Sequence, residues 1–174
     1  MTIWNLGSIN ADIVYSVPHI PSPGETLAST GRAVFLGGKG ANMSVAAARA
    51  AARVAHIGAV GADGRWAVER LLEYGVDTRH IVEIDVETAQ AIIAVDTNGE
   101  NIIILHQGAN VKIPTHVLEQ ALTQAETGDT LVFQNVTNLP VQPPSLSTNL
   151  GPRVANPHAH LHPATFNPSL PIPH

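Results

Sequence analysis

Residues 37–53 read Gly37-Gly38-Lys39-Gly40-Ala41-Asn42-Met43-Ser44-Val45-Ala46-Ala47-Ala48-Arg49-Ala50-Ala51-Ala52-Arg53. This stretch decides the fold. The apolar run Ala33–Leu36 leads into it, the glycines make a turn, and the alanine-rich segment Ala41–Arg53 has high helix propensity. The order is strand, glycine turn, helix, the joint from which α/β sheets are built. Downstream, Val54–Val60 has the profile of a second buried strand, closing on Gly61-Ala62-Asp63-Gly64. Arg65–Tyr74 follows as a helix, with Gly75 just past its end as the usual stop.

Upstream, the apolar run Ile3–Ile9 ends at Gly7-Ser8-Ile9-Asn10, a buried strand leading into a loop, and Pro21-Ser22-Pro23-Gly24 is strong turn chemistry. Further along, Ala91–Val95 and Asn101–Leu105 flank Asp96-Thr97-Asn98-Gly99-Glu100, whose Asn-Gly signals a hairpin. Pro114–Ala125 reads as a helix with proline in its first turn, and Thr130–Asn135 as a final strand. Strands alternating with helices predict an α/β fold: a mostly parallel sheet with helices on its faces, and the hairpin as a separate small sheet.

Composition narrows the function. The 174-residue chain is 44% hydrophobic, enough for a core, and its formal net charge of −5 comes without a Lys/Arg cluster. Nothing would neutralise phosphates, which argues against nucleic acid or a membrane surface as partner. Without cysteine there is no disulfide, thiol catalysis or thiolate metal site. The N-terminus lacks a basic n-region and apolar h-region, and no apolar run reaches the ~18–20 residues of a membrane span. The expected location is the cytoplasm.

Charge is unevenly spread. All 14 acidic residues precede position 136, and Arg153 is the only Lys or Arg after it. Nine of the 13 prolines lie from Pro140 onward. Proline removes backbone donors and breaks helices. Residues 1–135 therefore read as a folded unit and 136–174 as a poorly ordered tail. Within that tail, His158, His160 and His162 would share one face of a strand. Pro157 and Pro163 bracket them and no acidic residue lies near, so no metal site is assigned.

Ligands of open α/β sheets bind at the carboxyl ends of strands, beside helix N-termini. Asn10 and Asp12 follow the first strand there, and Gly37–Asn42 precedes the long helix. A polyol suits this set. Asp12 can accept from two vicinal hydroxyls, and the Asn10 and Asn42 amides can donate and accept. Gly37, Gly38 and Gly40 let backbone approach a ring, and Lys39 adds a point charge. The plainer alternatives are a structural strand-to-helix turn, an edge residue at Asp12 and a solvated charge at Lys39. The turn is neither a Walker A loop, since Ala33 and Gly40 stand at required Gly and Ser/Thr positions, nor a dinucleotide G-x-G-x-x-G, since Met43 ends it.

Taken together, Gly7-Ser8-Ile9-Asn10-Ala11-Asp12, Pro23-Gly24-Glu25-Thr26 and Gly37-Gly38-Lys39-Gly40-Ala41-Asn42 resemble the N-terminal signature of the ribokinase-like (PfkB) family in order and spacing. Gly58–Asp63, Gly75-Val76-Asp77-Thr78, Gly99-Glu100-Asn101 and Gly108-Ala109-Asn110 continue the resemblance across residues 3–135. It implies an incomplete ribokinase-like, Rossmann-type parallel sheet with a small β lid from about 12–34 and 89–105, which commonly pairs two subunits into a homodimer. It also implies ATP-dependent phosphorylation of a sugar's primary hydroxyl with Mg²⁺. Asn10, Asp12, Gly38, Lys39 and Asn42 would contact the sugar.

The chain departs from that pattern. Gln134-Asn135-Val136-Thr137 carries valine where the family usually has glutamate, and Thr88-Ala89 replaces Thr-Gly at the lid. The family's C-terminal Gly-Ala-Gly-Asp, which forms the anion hole and supplies the base, is not in the sequence, and Gly61-Ala62-Asp63-Gly64 is no substitute. No catalytic residue or nucleotide site is therefore assigned. The expectation is a truncated, inactive sugar kinase; the rival is a non-catalytic sugar-binding or lid-mediated interaction module. A degraded coding sequence, a pseudogene and an erroneous read end all remain open for 136–174, as does the choice among ribose, fructose and nucleosides.

Overall fold

The computed structural model describes residues 1–133, 137 and 154–155. In chain order the elements are β1 (Thr2–Leu6), β2 (Asn10–Ser16), β3 (Gly31–Gly37), α1 (Lys39–Arg49), β4 (Arg53–Val60), α2 (Arg65–Glu73), β5 (Asp77–Glu83), β6 (Ala89–Val95), β7 (Asn101–His106), α3 (Thr115–Leu122), β8 (Thr130–Phe133) and β9 (Val154–Ala155). Short 3₁₀ turns occupy Ala62–Gly64 and Gly108–Val111.

Five strands form one sheet in the order β5-β4-β1-β8-β9, with every pair parallel. A parallel sheet is covered on both faces, so its central strands need apolar residues at every position rather than at alternate ones. β4 shows this, with Val54–Val60 buried throughout. Its Ala55, Ile57 and Ala59 pack with Trp4, Leu6, Leu131 and the α3 residues Val117 and Ala121. Val54 and Val60 join Ile9, Ala41 of α1, and Ala67 and Leu71 of α2. The expected α/β architecture is present.

The second sheet has the order β3-β2-β6-β7. β2 pairs antiparallel with β3 and parallel with β6, and β6 pairs antiparallel with β7. The Asn98-Gly99 turn forms as expected, with Gly99 at φ 85° and Asp96 accepting from the Asn98 and Glu100 amides. Its hairpin lies, as expected, in a small sheet separate from the parallel one, and β6 extends that sheet by seating against β2. Asn10 and Asp12 lie on strand β2 rather than in a loop after β1.

α1 stops at Arg49 instead of continuing to Arg53, although alanine favours helix at every intervening position. The Ala52 amide donates to Ala47 O and the Ala51 amide to Ala48 O, closing a Schellman motif with Ala51 at φ 62°. The chain must turn here to enter β4. Alanine in the left-handed region costs about 1–2 kcal/mol. Gly75 fills the equivalent place after α2 without that cost, at φ 82°. Ala51→Gly is expected to raise stability by about 1 kcal/mol, seen as a higher urea midpoint at unchanged slope. A lower midpoint would contradict this conformation.

β5 escaped the sequence pattern because it is an edge strand, paired with β4 alone, and it carries Asp77, Arg79 and His80. α3 starts one residue after Pro114, which is its N-cap. Residues 134–135 of the expected last strand lie outside the described residues, as do Val136 and most of the expected tail. Val154–Ala155 pairs in parallel with Leu131 and Val132 of β8.

Candidate functional site

The site grows from the contact between the β1–β2 corner and the start of α1. A Cβ on Gly40 would fall 2.5 Å from the Cα and C of Gly7 and the amide nitrogen of Ser8, so two backbone segments touch here with no room for a side chain. Gly38, at φ 96°, would place a Cβ 2.5 Å from Ser8 O. Ser8 also takes up two amides of the α1 N-terminus: Ala41 N–H donates to its carbonyl at 2.9 Å and Gly40 N–H to its Oγ at 3.5 Å.

Behind this corner sits a buried polar chain whose directions are fixed at both ends. Asn5 Nδ2 donates to Gly40 O and to Ser44 Oγ, each at 2.8 Å. The Ser44 hydroxyl faces His56 Nδ1 at 2.8 Å, and His56 Nε2 faces Gly7 O at 3.1 Å. Carbonyls only accept, so His56 carries its proton on Nε2 and Ser44 donates to Nδ1. Burial pushes His56 down to about 4, against the opposing effect of the Gly7 hydrogen bond, so the ring is neutral at pH 7.

On β2, Asn10 pairs with Gly37 and Asp12 with Phe35. Two residues apart on a strand, Asn10 and Asp12 share one face. The Asp12 carboxyl occupies the space that a Cβ on Gly37 would need, with its atoms 2.0–2.1 Å from that point. Burial without a compensating cation raises Asp12 to about 6. Asn10, Asp12, Gly37 and Gly38 are thus brought together. Lys39 and Asn42 stand in the first turn of α1, both exposed, with no side-chain hydrogen bond among the described residues.

Asn110 is a site neighbour that the sequence did not single out by itself. It is buried, and its Nδ2 lies 2.9 Å from Asn10 Oδ1. Its only signal was the Gly108-Ala109-Asn110 motif. Asp63, by contrast, is an anchor: it accepts from the amide and hydroxyl of Thr88, and Thr88 Oγ accepts from Gly61 N–H. Burial opposes ionisation of Asp63, but these bonds outweigh it and hold the carboxyl low. The Gly58–Gly64 stretch fixes the foot of β6 and contributes no site group.

What this arrangement can bind follows from its donors. The α1 amides that would cradle a phosphate are partly taken by Ser8, and the Asp12 carboxylate would repel an anion. The chemistry of this corner suits a neutral polyol better than an anionic phosphate group. No group of three or more metal-ligating side chains occurs among the described residues. A cavity of about 540 Å³ lies elsewhere, at the foot of β7, between Glu87, His106 and Lys112.

The pfkB family carbohydrate kinase profile matches residues 3–152, more than the span of the motifs quoted above. The chain belongs to the pfkB family of carbohydrate kinases. A ribokinase of Haemophilus influenzae is 43% identical over 141 residues, covering 79% of this chain and 46% of its own length. A ribokinase of Schizosaccharomyces pombe is 32% identical, covering 97% of this chain and 53% of its own. Among solved structures, ribokinase from Cryptococcus neoformans var. grubii in complex with ADP is 40% identical, with a TM-score of 0.66 over 78% of this chain and 42% of that one. Ribokinase from Thermotoga maritima is 30% identical, with a TM-score of 0.70 over 79% and 46%. The pfkB chain described here spans about half the length of these relatives. Among its described residues, no helix is long and apolar enough to cross a membrane.

Proposed function

We propose that this chain is the sugar-recognising half of a ribokinase-type kinase, binding ribose or a similar sugar through Asn10, Asp12, Gly38, Lys39 and Asn42. The observation that supports this reading is the Asp12 carboxyl lying over Gly37, on the β2 face it shares with Asn10. In the reaction of a complete kinase, the γ-phosphoryl of ATP, with Mg²⁺, passes to a primary hydroxyl of the sugar. The groups here would orient that sugar. They do not supply the anion hole or base, because Gly-Ala-Gly-Asp is not among the 174 residues. Loss of one such donor costs ~10²–10³ in rate, and here several are missing together.

The 174-residue polypeptide is therefore expected to bind ribose without sugar-dependent ATP turnover. Titration calorimetry with ribose, fructose and adenosine, beside a coupled assay for ADP, tests both halves of this statement. Turnover that disappears in Asp12→Ala would sink the inactivity reading. No binding heat with any of the three would sink the sugar site.

A second reading, a lid-mediated interaction module, is favoured by one observation. Ile102, Ile103, Ile104 and Leu105 of β7 are 46–63% exposed, an unusual density of apolar surface on one strand. A homodimer formed through the lid sheet would cover it, and sedimentation equilibrium distinguishes dimer from monomer.

A further inference from the structure

Asn110 sits in the 3₁₀ turn that follows β7 and is only 4% exposed. Its side-chain oxygen accepts from the Ile9 amide at 3.0 Å. A backbone N–H can only donate, so that end of the Asn110 amide is the oxygen and the other end is Nδ2. The Asn110 Nδ2 lies 2.9 Å from the side chain of Asn10, and an amide NH₂ likewise only donates. The atom of Asn10 that faces it must be Oδ1. The Asn10 Nδ2 is left with no hydrogen-bond partner among the described residues, on the β2 face it shares with Asp12.

We infer that Asn110 is a positioning residue, which locks the Asn10 amide so that the site presents a donor, Asn10 Nδ2, beside an acceptor, Asp12. Such a pair is complementary to a vicinal diol, in which one hydroxyl oxygen accepts while its neighbour donates. With the Asn10 amide reversed, the site would offer acceptors alone: both hydroxyls could still donate, but no donor would reach their lone pairs. The turn carrying Asn110 is itself held fast. Ala109 N–H donates to Glu87 O at 2.9 Å, and a Cβ on Gly108 would fall 2.5 Å from the same carbonyl. The foot of the lid and the orientation of the site amide are thereby set together. The preference for a diol rests on the sugar-site proposal; the amide orientation does not.

Side-chain amide exchange in the ¹⁵N-labelled full chain tests the orientation without any ligand. The Asn110 NH₂ is expected to exchange slowly and the Asn10 NH₂ fast. In Asn110→Asp, which keeps the acceptor for Ile9 but loses the donor, Asn10 turns round and its NH₂ becomes slow. A protected Asn10 NH₂ in the unmodified chain overturns the inference. Ribose titration then tests the consequence: Asn110→Ala is expected to weaken binding about tenfold, and to have no further effect in an Asn10→Ala background. Additive losses would mean that Asn110 does not act through Asn10, and would overturn it as well. If the chain takes up no ribose while the exchange pattern holds, the sugar reading fails and the orientation stands.

Discussion

Gly40→Ala is expected to lower stability by about 3 kcal/mol or more, a fall in melting temperature on the order of 10 °C for a chain of this size. The added methyl would sit 2.5 Å from Gly7 and Ser8 backbone atoms. Side-chain overpacking is relieved by a change of rotamer; backbone on backbone is not. α1 would have to move off the β1–β2 corner by about an ångström, stretching the Ser8 hydrogen bonds and the Asn5–Ser44–His56 chain behind them. Thermal unfolding by circular dichroism measures the effect. A melting point within 2 °C of the parent would show that the corner is not closely packed.

The second large effect divides binding from stability. Asp12→Asn is expected to weaken ribose binding by roughly 10–100-fold, because a charged acceptor contributes about 1.5–3 kcal/mol per hydrogen bond. The same change is expected to stabilise the empty protein. The unfolded carboxyl ionises near 3.8, while the folded one holds its proton until about 6. Ionisation therefore opposes folding: the cost is absent below 3.8, grows between the two values and is complete above about 6. The full shift would correspond to about 3 kcal/mol. Asp12 is partly open to water, which screens it, so a gain of about 1 kcal/mol is expected at pH 7.5 and none at pH 3. Denaturant midpoints at the two pH values decide it. An equal gain at both would exclude Asp12 ionisation as the cause.

Much of this site could be read in the sequence because its residues have few substitutes. Gly38 and Gly40 announce a turn where backbone touches backbone, and Gly37 leaves the room that the Asp12 carboxyl occupies. Other features answer to tertiary demands. Ala51 carries no sign that it will leave the helix, since its conformation is set by the route into β4. His56 sits in an apolar run and reads as core until Ser44 and Gly7 O are placed around it. Asn110 is a hundred residues from Asn10 in sequence, and only the folded turn after β7 joins them. β5 has the composition of a surface segment because it borders the sheet.

The pairing of β2 also fixes an order of events. Its partner β3 begins at Gly31, so that ribbon can close soon after synthesis. Its other partner, β6, begins only at Ala89, after α1, β4, α2 and β5 have been made. Closing so long a loop is slow. Until it closes, one margin of β2 offers unpaired amides and carbonyls to any passing strand. The nascent chain therefore passes through an interval of exposure at least as long as the synthesis of α1, β4, α2 and β5.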